Sequence, residues 1–116
     1  MVYSSFKDSK SEEKRKQESE GIRRKYPDRI PIILEKFDSR APELEKYKYL
    51  VPADSNLSLL LLHIRTRVKL NPHAAIFLTI QNEMCNASEL LCKLYEEKKD
   101  KDGFLYITYS TENTFG

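Results

Sequence analysis

The sequence predicts an α+β fold in which a four-stranded mixed sheet wraps one helix, with an added helical segment at the N-terminus. Three observations carry this expectation. Two β-branched runs, Arg29–Lys36 and Tyr47–Pro52, lie one loop apart, as the arms of an antiparallel hairpin do. An apolar-periodic helix follows, and two further strand runs, Ala75–Ile80 and Phe104–Ser110, bracket a second, shorter helix. Ahead of the hairpin stands a segment so polar that Ile22 is its single aliphatic residue between Phe6 and Tyr26.

Each element has its own signals. Ser9, with Glu12 three positions on, fits a capping box and starts a helix to about Lys25, which Tyr26-Pro27 ends. Gly21 inside it costs about 0.5–1 kcal/mol relative to alanine. A helix this polar packs only lightly on a separate core. Pro31 restricts the first strand to a sheet edge or a strand start. A loop from Phe37 to Glu45, holding Pro42, leads to the second strand. Asp54-Ser55-Asn56 supplies a cap for a helix from Leu57 to about Lys69. Leu57, Leu61, Ile64 and Val68 share one stripe of that helix, and Leu59 and Leu62 fall off it. Asn71-Pro72 breaks the helix, and Gln81-Asn82 turns the chain after the third strand. Ser88 caps a helix to about Lys99 that buries Leu91, Leu94 and Tyr95, and Asp102-Gly103 turns into the last strand. Hairpin, helix, strand, short helix, strand is the order of a β-grasp. Residues 1–26 read as the helical extension and 27–116 as the β-grasp core.

Composition narrows the function. A chain of 116 residues, 40% hydrophobic and 33% charged, suits one domain with a heavily charged surface. The longest apolar run, Ala74–Leu78, is far short of a membrane span. The first residues lack a signal peptide's apolar stretch, and Val2 stands where N-myristoylation needs glycine, so the expected compartment is the cytosol or nucleus. Two cysteines without CxxC spacing argue against a disulfide framework or zinc site. Cys92 reads as a buried free thiol and Cys85 as a more exposed one. His63 and His73 pair with no cysteine, and three scattered glycines make no phosphate loop, so no catalytic set, metal or cofactor is expected. Residues 1–29 hold nine Lys/Arg against six Asp/Glu. That mild excess suits an acidic partner surface or anionic lipid, and it is too weak for nucleic acid.

Several blocks now stand in order: Lys25-Tyr26-Pro27-Asp28-Arg29-Ile30-Pro31, Glu35-Lys36, Lys48-Tyr49-Leu50-Val51-Pro52, Ile64-Arg65 with Arg67, Asp102, Phe104-Leu105-Tyr106, Tyr109-Ser110 and Gly116. Together they resemble the autophagy ubiquitin-like modifiers, typified by the GABA-A-receptor-associated protein and the microtubule-associated-protein light chain. The resemblance runs from about Glu13 to the end and implies a ubiquitin-like β-grasp with two jobs.

The first implied job is conjugation of the Gly116 carboxylate to phosphatidylethanolamine. Activating and conjugating enzymes would adenylate it and carry it as a cysteine thioester, and a cysteine protease would trim or deconjugate it. Glycine, lacking Cβ, lets the carboxylate enter a narrow cleft. Two acyl chains suffice to hold a protein on a bilayer, so the expected location is cytoplasm, and autophagosome membrane when lipidated.

The second implied job is capture of aromatic-x-x-aliphatic motifs of cargo receptors along the second strand. Carried onto matching positions, the aromatic pocket uses Glu18, Ile22, Pro31, Lys48, Leu50 and Phe104. The aliphatic pocket uses Tyr49, Val51, Pro52, Leu60 and Ile64. Arg29, Lys46, Lys48 and Arg67 meet acidic residues of the motif. Without the resemblance, Lys46 and Lys48 read as edge protection, and Leu60 and Ile64 as helix core. Ser55 and His63 stand where the family's pocket is apolar, and Gly103 replaces a bulky residue and is expected to loosen its corner. The alternative reading is a non-conjugated trafficking or cytoskeletal adaptor that binds tubulin through its basic N-terminal helix. A tag on other proteins lacks the usual Gly-Gly ending.

Overall fold

The computed structural model describes residues 5–38, 40–67 and 75–111. Gly116, Val68, Asn71, Pro72 and His73 lie outside them. The chain order is α1 (Ser5–Ser9), α2 (Glu12–Lys25), β1 (Arg29–Lys36), β2 (Lys48–Pro52), α3 (Leu57–Arg67), β3 (Phe77–Ile80), β4 (Glu83–Met84), α4 (Leu91–Lys98) and β5 (Leu105–Ser110). The strands form one sheet in the order β2-β1-β5-β3-β4. β1 and β5 run parallel at its centre, and every other neighbour pair is antiparallel. With α3 packed against it, this is the β-grasp arrangement.

The pleat divides the apolar residues between two faces. On one face Ile30, Ile32, Leu34, Leu105 and Ile107 pack with Leu57, Leu60 and Ile64 of α3 and Leu91 and Leu94 of α4. On the other, Ile33 and Phe104 pack with Phe6 of α1, and Ile22 of α2 leans on the same cluster. The α3 stripe therefore runs through Leu57, Leu60 and Ile64, and Leu61 is only half-buried. That corrects the expected stripe, which had Leu61 where Leu60 stands.

The sheet has a fifth strand that the sequence reading lacked. β4 pairs with β3 across Gln81-Asn82, whose φ values of 53° and 65° are those of a two-residue hairpin turn. Two residues are too few for alternation to show. Pro31 sits within β1 because the ladder does not need its N–H. It lies opposite Leu50, where the antiparallel pair exchanges no hydrogen bonds, and one residue before β5 begins pairing at Ile32.

Caps also differ from expectation. Ser9 ends α1, donating its hydroxyl to the Phe6 carbonyl, while Ser11 caps α2 by accepting from Lys14 N at 3.3 Å. Asn56 caps α3, accepting from Leu59 N at 3.1 Å. Ser88 does not cap α4. The N–H groups of Leu91 and Cys92 donate instead to the carbonyls of Ser55 and Ala53, so the β2–α3 loop satisfies the start of α4. Cys85 and Cys92 are both half-buried.

The polar α2 buries two residues, Arg15 and Ser19, and both are polar. Arg15 Nη1 donates to Asp102 Oδ2 at 2.5 Å, the Tyr106 hydroxyl donates to the same oxygen, and Ser19 Oγ donates to the Asp102 carbonyl. Asp102 Oδ1 accepts from Phe104 N at 2.9 Å, and the residue is 0% exposed. Burial, with the Asp102 carboxylate accepting its hydroxyl, pushes the Tyr106 phenol well above its ordinary range.

Gly103 completes this corner rather than loosening it. Its φ is +90°, and a Cβ there would lie 2.3 Å from Ser19 Oγ. Gly21, by contrast, has open space where a Cβ would go. The two glycines therefore predict opposite signs in urea denaturation: Gly103→Ala lowers stability by about 1–3 kcal/mol, and Gly21→Ala raises it by about 0.5–1 kcal/mol. Asp102→Ala leaves Arg15 buried and unpaired and costs about 3–5 kcal/mol on the same assay.

Candidate functional site

The outer edge of β2 is one of the two terminal edges of the sheet. Leu34 N donates to Tyr47 O and Ala53 N to Asp28 O, which sets the alternation of the antiparallel ladder. Tyr47, Tyr49, Val51 and Ala53 turn their backbone groups toward β1. Lys48 and Leu50 turn theirs outward, where a further strand would pair.

The side chains at this edge alternate between the two faces. Tyr49 and Val51 join the α3 core. Lys48 and Leu50 point to the face that carries α1 and α2. An added strand has the same period of two, so residues three apart in it project to opposite faces. An aromatic-x-x-aliphatic spacing thus matches an edge with one receptive patch on each face.

On the α3 face lies a groove of about 460 Å³, lined by Tyr49, Val51, Pro52, Leu60, Leu59 and Leu91, with Lys46, Leu50, Ser55, His63 and Arg67 also at its wall. The His63 ring stands edge-on to Tyr49, with centroids 5.5 Å apart and planes at 87°. Ser55 turns its hydroxyl to the Pro52 carbonyl at 2.6 Å. Lys46 Nζ lies 5.5 Å from the Tyr49 ring centre, which keeps a cation over the groove. Burial raises the Tyr49 phenol, and the charge of Arg67 opposes that rise.

On the opposite face Glu18 of α2 lies between two cations. Its Oε1 accepts from Lys10 at 2.7 Å, and the Lys48 ammonium sits against Oε2. Phe6 is 2% exposed and meets Phe104 edge-on at 5.2 Å, with Ile22 against the same cluster. Lys48 Nζ stands 5.4 Å from the Phe6 ring centre.

The structure brings together most, but not all, of the expected site residues. Ile64 and Phe104 are 0% exposed and belong to the two cores, so they support the patches from beneath and present no surface of their own. Pro31 is buried too. Arg29 is exposed at the start of β1, opposite Pro52, with its guanidinium 5.9 Å from the Tyr26 ring centre. Phe6, Leu59 and Leu91 were missing from the expected set. Leu59 had a signal, being off the helix stripe, whereas Phe6 and Leu91 depend on contacts distant in sequence.

Burial opposes ionisation of Glu18, but its bonds with Lys10 and Lys48 outweigh that and hold its carboxyl below the ordinary 4.5. A depressed folded value means the pairs stabilise α2 docking above the unfolded pKa. That contribution is lost as pH falls through the folded value. Lys48→Met removes one cation and should raise the Glu18 midpoint in a carboxyl-carbon NMR titration over about pH 2–6. An unmoved midpoint would assign the shift to Lys10 alone.

Comparison with known proteins meets this geometry. Residues 14–116 match the family model described as autophagy protein Atg8, ubiquitin like. The chain is 54% identical over 114 residues to Autophagy-related protein 8 of Schizosaccharomyces pombe, covering 97% of this chain and 94% of that protein. It is 52% identical over 112 residues to Autophagy-related protein 8e of Arabidopsis thaliana, covering 96% and 92%. The crystal structure of Trypanosoma brucei ATG8 superposes with a TM-score of 0.89 at 37% identity, covering 98% of this chain and 99% of that one. Plasmodium falciparum Atg8, solved with an Atg3 peptide from the same organism, gives 0.86 at 34% identity, covering 96% and 98%. With a model match over most of its length and half its residues shared with full-length relatives, this chain belongs to the Atg8 family of ubiquitin-like autophagy proteins.

Proposed function

We propose that this protein is a ubiquitin-like modifier, not an enzyme, whose Gly116 is conjugated to phosphatidylethanolamine and whose β2 edge captures aromatic-x-x-aliphatic peptides of cargo receptors. The observation that carries the peptide reading is the sheet edge, with outward backbone groups at Lys48 and Leu50 and a patch on each face. Such an edge accepts a strand through backbone pairing and selects it by side-chain pockets. The rim cations Lys46, Lys48 and Arg67 favour acidic residues around the motif and speed encounter.

Family membership supports the conjugation reading, since the match runs through residue 116. The relative seen with an Atg3 peptide supports a conjugating enzyme as one partner. Activating enzyme, a deconjugating cysteine protease, phosphatidylethanolamine membranes and cargo receptors complete the proposed set. The proposed location is cytoplasm, moving to the autophagosome membrane on lipidation. The tubulin-adaptor reading draws on the basic N-terminal segment. There Lys7 pairs with Asp100 at 2.8 Å, Lys10 with Glu18 and Arg15 with Asp102, so three of its cations are engaged within the protein.

Incubation with ATP, matching activating and conjugating enzymes and phosphatidylethanolamine vesicles should add the mass of one lipid, and Gly116→Ala should abolish the adduct. No adduct, with enzymes active on a control, would overturn the conjugation reading. In calorimetric titration with an acidic nonapeptide carrying tryptophan and leucine three apart, Leu50→Ala should weaken binding about tenfold. Added salt should weaken it further through the rim cations.

A further inference from the structure

The sheet face that carries α1 does not stay apolar. Ile33 and Phe104 pack with Phe6, but the same face continues through Glu35, Thr108 and Thr79, which stand side by side on β1, β5 and β3. Over this row lies a cavity of about 210 Å³. Its floor is a pair of hydroxyls. Thr79 Oγ1 and Thr108 Oγ1 are 2.5 Å apart, and Thr79 is 2% exposed. Thr108 Oγ1 also reaches the Thr79 carbonyl, at 3.5 Å, a bond long enough to give up its proton to a ligand.

The walls carry both signs of charge at separate places. Glu35 stands at the β1 side and accepts from Phe6 N at 3.1 Å. A carboxylate has about four acceptor sites, so it can take an ammonium as well. Lys98 stands at the β3 side, beside the Gln81-Asn82 turn, and its carbonyl accepts from the Gln81 amide at 3.2 Å. The Lys98 ammonium meets Glu83 at 3.3 Å, but that carboxylate is 74% exposed, which makes a weak surface pair. Lys7 and Asp100 form an internal pair on the wall at 2.8 Å. Two ammoniums and two carboxylates therefore line the cavity. A bare anion would meet Glu35 and Asp100, and a bare cation would meet Lys7 and Lys98. A small molecule with both charges meets each at its own end. At roughly 30 Å³ per water, the space holds about seven waters, which is room for a zwitterion of similar heavy-atom count and too little for a nucleotide.

We propose that this cavity binds a phosphoethanolamine group without covalent attachment, with its ammonium at Glu35 and its phosphate at Lys98, Thr108 and the Gln81 and Asn82 amides. The choice of this zwitterion rests on the conjugation reading above, which sets the protein among phosphatidylethanolamine headgroups. Thr108 lies two residues before the end of β5, the strand that leads to Gly116. The six residues after Ser110 span at most about 22 Å, so a conjugated chain keeps this cavity near the headgroup layer. Free phosphoethanolamine and the headgroup of a second, unconjugated lipid present the same group to it. No residue of β2 lines the cavity, so the peptide edge stays open when the cavity is filled.

The test uses the full, unconjugated chain without enzymes or ATP. In amide proton–nitrogen NMR spectra, added phosphoethanolamine should shift Thr79, Gln81, Asn82 and Thr108 along one saturating isotherm. Inorganic phosphate and ethanolamine, each with one sign of charge, should bind at least about tenfold more weakly. Lys98→Met and Thr108→Val should each weaken phosphoethanolamine binding about tenfold, and Lys98→Arg should retain it. Circular dichroism checks that each variant is folded. Vesicles identify the source of the group. Lys98-dependent sedimentation with phosphatidylethanolamine vesicles, absent with phosphatidylcholine, supports the site and assigns it to the lipid headgroup. Saturating shifts without sedimentation support it and assign it to the free molecule. No saturating shift at these residues overturns the site, as do shifts that Lys98→Met leaves unchanged. An equal response to phosphate alone also overturns it and marks an adventitious ion only. None of these failures touches the conjugation reading, which the enzymatic lipid adduct tests separately. Loss of that adduct overturns the conjugation reading and leaves the binding isotherm as measured.

Discussion

One buried carboxylate anchors α2 on the sheet. Asp102 sits at the foot of β5 and receives the Arg15 guanidinium, the Tyr106 hydroxyl and the Phe104 amide on its side chain, while its carbonyl receives Ser19. Apolar burial could not do this alone, because α2 contributes only Ile22, half-buried, to the cluster beneath it. The ion pair has a large desolvation cost and gains its stability from complete hydrogen bonding. It also fixes position more sharply than a greasy contact would. Each donor reaches its acceptor in only one register of α2 on β5. The close approach needs Gly103 at positive φ, since a Cβ would strike Ser19.

That docking builds half of the candidate site. Glu18 and Ile22 share α2 with Arg15 and Ser19, so the network that seats the helix also sets Glu18 beside Lys48 and Ile22 beside Phe104. The other half is made by α3, on the opposite face of the same strand. β2 is thus an edge with a helix-built patch on either side. The alternation of side chains along a strand converts this two-faced edge into a preference for anchors an odd number of residues apart. Specificity for spacing follows from the pleat, and specificity for side-chain type follows from the patches.

The two patches differ in polarity. The N-terminal side is framed by charge, with Lys10, Glu18 and Lys48 in line around an aromatic cluster. The α3 side is more apolar, but His63 and Ser55 stand at its wall. His63 meets Tyr49 edge-on at that wall, and Leu59 is shared between the groove and a hollow on the outer side of the helix.

Much of this was legible in the residues. The bounds of β1, the hairpin, the Asn56 cap and the final strand follow from local chemistry: β-branched runs, proline and glycine positions, and side chains that bond their own backbone. The motif blocks identified the family, because long ordered matches rarely arise by chance. Local signals failed where the partner lies far along the chain. Ser88 looks like a cap, yet Ser55 and Ala53 supply the acceptors at α4. Gly103 looked like a loosened corner until Ser19 was placed against it. Phe104 was expected as a pocket wall, and only the packing of the sheet face beneath α1 and α2 shows it sealed inside, whereas Ile64 already read as helix core from its stripe. The sequence by itself determined the elements, their order and the family. The tertiary structure alone decided which edge of β2 stays open, which face each patch occupies and how a polar helix is held, because those outcomes depend on register and on contacts between distant residues such as Arg15 and Asp102, 87 positions apart.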